Sequence, residues 1–116
     1  VILPGGMPGT LNLERSAKVN AFLDYAYENQ KLVCAICAAP SILGHKGMLK
    51  GKKAVCFPGF ESELEGAELS DSFVVTDGNI ITAKGMGSAV KFGIAIGAAF
   101  VGEAKMEKIE ESLQCS

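Results

Sequence analysis

Cys37 is the residue best placed by its neighbours for covalent chemistry. It follows the wholly apolar run Leu32 to Ile36 and precedes Ala38-Ala39-Pro40, where a short helix is expected to start. A cysteine on a sharp strand-to-helix turn gains two things. The helix N-terminus stabilises a thiolate. The free N–H groups of the turn hold the oxyanion that forms when that thiolate attacks a carbonyl. Small residues after Cys37 permit the cramped backbone of a nucleophile elbow, and Gly5 and Gly6 let a second backbone N–H approach from the neighbouring loop. A free cysteine also serves as a small buried hydrophobe, and residue types alone leave both readings open.

The other reactive residue types are less well placed. Cys34 and Cys37 form a C-x-x-C, but Cys34 lies inside a continuous apolar strand. Three residues along a strand turn the side chains to opposite faces, so a redox pair is rejected and Cys34 is assigned to the core. No second cysteine or histidine pair exists for a structural zinc. His45, the only histidine, falls in the turn Gly44-His45-Lys46-Gly47 and is expected to be a solvated surface residue. That leaves Cys37 without a histidine base and weakens a Cys-His hydrolase. Gly85-Met86-Gly87 lacks the rest of a nucleotide-binding fingerprint, and its glycines are assigned to close packing of loop and helix. Glu61, Glu63, Glu65 and Glu68 read as a solvated face. No metal and no cofactor is expected.

The elements that must hold Cys37 follow from apolar patterning. Val1-Ile2-Leu3 reads as a buried strand stopped by Pro4-Gly5-Gly6. Asn12 is expected to cap a helix carrying Val19, Phe22, Leu23 and Ala26 on one face and ending near Asn29. Leu32 to Ile36 has the unbroken apolar character of a strand buried on both faces, as in a parallel sheet covered by helices. Pro40 suits a first helical turn that gives out around Gly44 to Gly47. Ala54 to Phe57 is expected to be a strand. Two β-rich runs around Asp77-Gly78 form a hairpin within Phe73 to Ala83. A Gly/Ala-rich helix from about Ala89 to Val101 is expected to lie close to the sheet and to end at Gly102. Met106, Ile109 and Leu113 mark a last amphipathic helix.

The 116 residues suffice for one domain, and 48% are apolar, with 14 glycines and no tryptophan. That composition suits a close-packed α/β domain. Net charge is −2, from 11 basic and 13 acidic residues without a basic block. Nucleic acid and acidic membranes are therefore not expected partners. The apolar stretch Phe92 to Val101 is too short to span a bilayer. Four cysteines (34, 37, 56 and 115) without a secretory signal favour free thiols and the cytoplasm. The chain opens directly in a core strand with no Met, which suggests that a piece upstream has been removed.

Three segments occur in an order that resembles the ThiJ/PfpI superfamily. They are Val1-Ile2-Leu3-Pro4-Gly5-Gly6, Ala35-Ile36-Cys37-Ala38-Ala39-Pro40 and Cys56-Phe57-Pro58-Gly59-Phe60-Glu61. Asp77-Gly78-Asn79-Ile80-Ile81-Thr82 and Gly85-Met86-Gly87-Ser88 fit the same pattern. The nearest resemblance is to the branch of Parkinson-associated protein deglycases (DJ-one-like), in its bacterial form. The resemblance implies an α/β fold, a flavodoxin-like three-layer α/β/α sandwich of the class I glutamine amidotransferase kind. Residues 1–116 would be a single domain lacking its N-terminal strands and helices.

The resemblance also implies Cys37 as the reactive group, the N–H groups of Gly6 and Ala38 as its anion pocket, and a homodimer. Family members act as glyoxalases or deglycases on reactive dicarbonyls, as peroxide sensors through cysteine oxidation, or as chaperone-like protectors. Some carry a thiazole-monophosphate biosynthesis label. Three departures shape the transfer. Ala38 stands where the peptidase branch has a histidine, so a peptidase is not expected. Phe57 precedes Pro58 where the deglycase branch has a histidine. The acid that hydrogen-bonds the cysteine comes from a family segment ahead of Val1, which is expected to remain bound as a separate piece or to be missing from the chain. The leading expectation is action on small reactive carbonyls through Cys37. The alternative is an oxidative-stress sensor or chaperone-like protein whose Cys37 is oxidised by peroxide, without turnover. A glutamine amidotransferase-like subunit is discounted, because Ile109 to Ser116 holds no histidine with an acidic partner.

Overall fold

The computed structural model describes residues 1–114, so Cys115 lies outside the described residues. The main sheet contains β1 (Ile2–Leu3), β2 (Val33–Ile36), β5 (Val74–Asp77) and β6 (Ile80–Ala83), in the spatial order β1-β2-β6-β5. β1, β2 and β6 run parallel, with Ile2 opposite Cys34 and Cys34 opposite Ile81. β5 closes the edge as the antiparallel arm of the expected hairpin, Asp77 facing Ile80 across a turn whose Gly78 has φ +61°. That left-handed turn is what the Asp-Gly pair provides.

Two apolar layers cover the sheet. On one face Leu3, Val33, Ala35 and Ile80 pack with Leu23, Ile42, Leu43 and Leu49. On the other Cys34, Ile81 and Ala83 pack with Phe92. Cys34 and Ala35 enter opposite layers, as the two-residue period of a strand demands. The unbroken apolar run of β2 thus reflects burial on both faces, and the result is a three-layer α/β/α arrangement.

The first helical segment differs from the expectation. Asn12 is not a cap, because the chain is already helical from Gly9, and the helix is two helices. α1 (Gly9–Arg15) ends at Ser16, and α2 (Ala17–Glu28) starts there, the Ser16 hydroxyl accepting from the Val19 N–H. A serine able to take a backbone N–H competes with helix continuation and caps the new one. α3 (Pro40–His45) has Pro40 in its first turn as expected.

The strand expected over Ala54 to Phe57 shrinks to β3 (Lys53–Ala54), paired in parallel with β4 (Glu68–Leu69) outside the main sheet. The following residues leave that ladder for the end of the main sheet. Val55 N–H donates to the buried Thr82 hydroxyl at 3.1 Å, and Phe57 N–H donates to the Cys37 carbonyl at 2.8 Å.

α4 (Ala89–Val101) ends at Gly102, φ +86°, and α5 (Glu103–Ser112) buries Met106. α4 rests on the sheet through Phe92, Ala95 and Ile96. Its glycines do not make that contact. A Cβ on Gly93 would meet open space, and one on Gly97 would strike the Met106 sulfur. Of the small residues expected to bring the helix close to the sheet, Ala95 does so, whereas Gly97 admits α5. No described helix is long and apolar enough to cross a membrane.

Candidate active site around Cys37

β2 delivers Cys37 to the carboxyl end of the sheet, where open α/β sheets gather functional groups. Its φ is +65°, a left-handed conformation that costs a non-glycine residue about 1–2 kcal/mol. Two long-range hydrogen bonds hold the residue there. Cys37 N–H donates to the Ala83 carbonyl at 3.0 Å, and its own carbonyl accepts from Phe57 N–H. The side chain is half-buried, and α3 begins three residues later.

The loop after β1 presses on this turn. A Cβ built on Gly5 would lie 2.6 Å from the Cys37 Cβ, 2.8 Å from the Ile36 carbonyl oxygen and 3.2 Å from the Ala38 nitrogen. Only a residue without a side chain fits. Gly6, at φ +91°, turns the loop, and its carbonyl accepts from both the N–H and the hydroxyl of Thr10 at 2.8 Å. Gly6 and Ala38, the two residues expected to flank the sulfur with free N–H groups, therefore belong to loops in direct contact.

Two buried hydroxyls that sequence reading missed lock these loops. Thr10 ties Gly6 to α1. Ser41, also buried, donates from its hydroxyl to the Ala38 carbonyl at 2.6 Å. The available signal was the spacing: a Ser or Thr three or four residues after a loop residue can bond back to its carbonyl.

The remaining cysteines differ from Cys37. Cys34 is fully buried in the opposite apolar layer, and burial raises its pKa to about 11. The core assignment is correct. Cys56 is also buried, and burial, with smaller contributions from Glu61 and Cys37, raises its thiol to about 11.

His45 is not merely solvated. Its Nδ1 lies 2.5 Å from a Glu14 carboxylate oxygen and its Nε2 2.7 Å from one of Glu63, joining α1, α3 and the turn Glu61–Glu63. These partners raise its pKa, the Glu63 hydrogen bond most and Glu14 next. With both ring nitrogens engaged, His45 serves as a clamp and is unavailable as a base for Cys37. Two of the glutamates read as a solvated face are thus committed: Glu63 to His45, and Glu61 to the Gly59 N–H. Backbone N–H groups of Glu61 itself and of Gly59 hold the Glu61 carboxyl below its ordinary pKa.

Beside the elbow runs a shallow groove lined by Phe57, Pro58, Phe73, Lys84, Gly85 and Ser88. A Cβ on Gly85 would lie 3.2 Å from the Phe57 ring, so its tight packing is against another loop and not the expected helix; a Cβ on Gly87 would meet open space. A neighbouring cavity of about 280 Å³ is bordered by Cys56, Glu61, Asp71 and Lys84. Among the described residues no cluster of His, Cys, Asp and Glu is arranged to hold a metal.

Comparison with known proteins places this geometry. The DJ-1/PfpI family model matches residues 1–99. The chain is 33% identical over 115 residues to the Drosophila melanogaster protein dj-1beta, covering 97% of this chain and 62% of that protein. It is 32% identical over 87 residues to a deglycase of Pyrococcus horikoshii, covering 72% of this chain and 51% of the other. The crystal structure of Drosophila DJ-1beta superposes with a TM-score of 0.90 at 32% identity, covering all of this chain and 63% of that one. An oxidized DJ-1 of Toxoplasma gondii matches with a TM-score of 0.88 at 32% identity, over 94% of this chain and 60% of the other. The chain thus spans less than two thirds of the length of these relatives, and it belongs to the DJ-1/PfpI family.

Proposed function

We propose that this protein acts on small reactive carbonyl compounds, such as dicarbonyls, through Cys37. The observation that carries the reading is the strained elbow itself. A half-buried cysteine is held at φ +65° by hydrogen bonds to two other segments, with a glycine loop pressed against its Cβ. Backbone strain of this kind persists only where surrounding structure enforces it, and it recurs at reactive residues. Membership of the family and the deglycase among its relatives support the same reading.

In the proposed step the Cys37 sulfur adds to the aldehyde carbon. The carbonyl π pair moves onto oxygen, which the N–H groups of Gly6 and Ala38 stabilise before it takes up a proton. The expected acid belongs to the family segment ahead of Val1. Phe57 supplies no base, and His45 is held by two carboxylates. Turnover is therefore slow compared with relatives that carry a histidine at that place.

The test is methylglyoxal consumption by the full-length protein and by Cys37→Ser. The expected outcome is measurable turnover that falls by roughly a hundredfold or more in the variant. Equal consumption by both proteins would refute a role for Cys37. A second reading, peroxide sensing at Cys37 without turnover, is favoured by one observation: a second thiol, Cys56, directly precedes Phe57, whose N–H donates to the Cys37 carbonyl at 2.8 Å. Absence of turnover with two oxygens gained at Cys37 in mild peroxide would support that reading instead.

A further inference from the structure

We infer that Cys56 is a resolving cysteine for Cys37: the structure brings the two residues together so that a Cys37 sulfenic acid, formed by a hydroperoxide, closes to a Cys37–Cys56 disulfide. The inference rests on the reactivity of Cys37, common to both readings above, and adds a second, specific residue to that site.

The geometry comes from the backbone. Phe57 N–H donates to the Cys37 carbonyl at 2.8 Å, so Cys56 directly precedes a residue bonded to Cys37. Standard bond lengths add about 2.4 Å from each α-carbon to that hydrogen bond, limiting the Cys37–Cys56 Cα separation to about 7.6 Å. Any bend at the oxygen or nitrogen shortens it toward the disulfide range of about 4.4–6.8 Å. The placement is rigid on the Cys56 side, because Val55 is bonded to Thr82, and Ala54 to Ser70. Cys34, the other cysteine near in sequence, is packed in the layer on the opposite face of the sheet from Cys56.

The two thiols are suited to different roles. Cys37 is half-buried, whereas Cys56 is only 3% exposed. The buried thiol is shielded from direct attack by peroxide. Burial also raises the Cys56 thiol, so it stays protonated until the Cys37 sulfenic acid forms beside it.

The chemistry balances. The Cys37 sulfur attacks the terminal oxygen of a hydroperoxide, the O–O bond breaks, and an alcohol or water leaves. Cys37 becomes a sulfenic acid, oxidised by two electrons, and the peroxide is reduced. The Cys56 sulfur then attacks the Cys37 sulfur, the S–O bond breaks, and the Cys56 proton departs with hydroxide as water. A cellular thiol reductant reverses the disulfide, which a sulfinic acid would resist.

The experiment exposes the full-length protein to one equivalent of hydrogen peroxide, quenches with dimedone and maps peptides by mass spectrometry without reduction. The expected result is a Cys37–Cys56 linked peptide, removed by dithiothreitol and retained in Cys34→Ala. In Cys56→Ser the link is absent, and dimedone or sulfinic adducts at Cys37 rise roughly tenfold, as loss of an intramolecular partner requires. Cys56→Ala repeats this test if the serine variant folds poorly, and the wild-type linked peptide is informative by itself. Oxygen added at Cys37 to the same extent in wild type and Cys56→Ser, with no linked peptide, would overturn the inference while leaving Cys37 reactive. A link from Cys37 to Cys34 or Cys115 would overturn it as well. No modification of Cys37 in any protein would refute the reactive-cysteine reading itself and this inference with it.

Discussion

Replacing Gly5 by alanine tests whether the loop after β1 braces the elbow. Gly5 lies outside the left-handed region, so alanine meets no backbone penalty there. By itself the change would then stabilise the protein by about 0.4–1 kcal/mol through reduced freedom of the unfolded chain. Packing opposes this. The new methyl would lie 2.6 Å from the Cys37 Cβ and 2.8 Å from the Ile36 carbonyl oxygen, neither of them the end of a flexible side chain. Carbon atoms rest at about 3.5–4.0 Å, so roughly 1 Å of overlap must be relieved by moving the loop or the elbow. Overpacking of this kind costs about 1–3 kcal/mol, leaving a net loss of up to about 2.6 kcal/mol. The displaced elbow also loses its alignment with the Ala38 N–H, so carbonyl turnover falls by about two orders of magnitude per ångström of misplacement. The measurements are urea unfolding midpoints at constant m-value and methylglyoxal consumption. Gly93→Ala is the control: it lies within α4 with open space around its Cβ, and alanine there stabilises by about 0.5–1 kcal/mol. Unfolding midpoint and turnover of Gly5→Ala both equal to wild type would refute the claim that the loop braces Cys37.

Gly44→Ala places a methyl 2.1 Å from the Glu63 carbonyl oxygen and should destabilise by about 2–3 kcal/mol or more, read from thermal or urea unfolding. Thr82→Val removes the acceptor of the Val55 N–H in a buried setting; a loss of about 1–3 kcal/mol is expected, with faster hydrogen exchange of that amide as the local readout. The His45 clamp gives a pH signature. Its pKa is raised in the folded protein, so its contribution is complete below the unfolded value near 6.5 and is lost as pH rises through the higher folded value. His45→Gln should therefore lower stability at pH 5.5 by about 0.2–1 kcal/mol, a range set by its solvent exposure, and should make little difference at pH 9. A difference that grows with pH would contradict the assignment.

Much of the fold is legible in local sequence. The unbroken apolar run of β2 announces a strand buried on both faces. Asp77-Gly78 marks the hairpin, Pro40 opens α3, and Gly102 stops α4. Each signal is local, arising from side-chain period or from the dihedral limits of one residue. The same is true of the elbow, whose small residues around Cys37 are visible in a stretch of six.

What needed the tertiary structure is every feature made by residues distant in the chain. The strand expected through Phe57 dissolves because Thr82 and Cys37, far along the chain, take its backbone N–H groups. His45 becomes a clamp only when α1 and the Glu61–Glu63 turn bring carboxylates to both ring nitrogens, and Cys56 is brought toward Cys37 only by the bond from Phe57 N–H to the Cys37 carbonyl. Residue type and periodicity determine which groups want burial or a partner. Which partner they find depends on chain closure over tens of residues, and no local pattern records it.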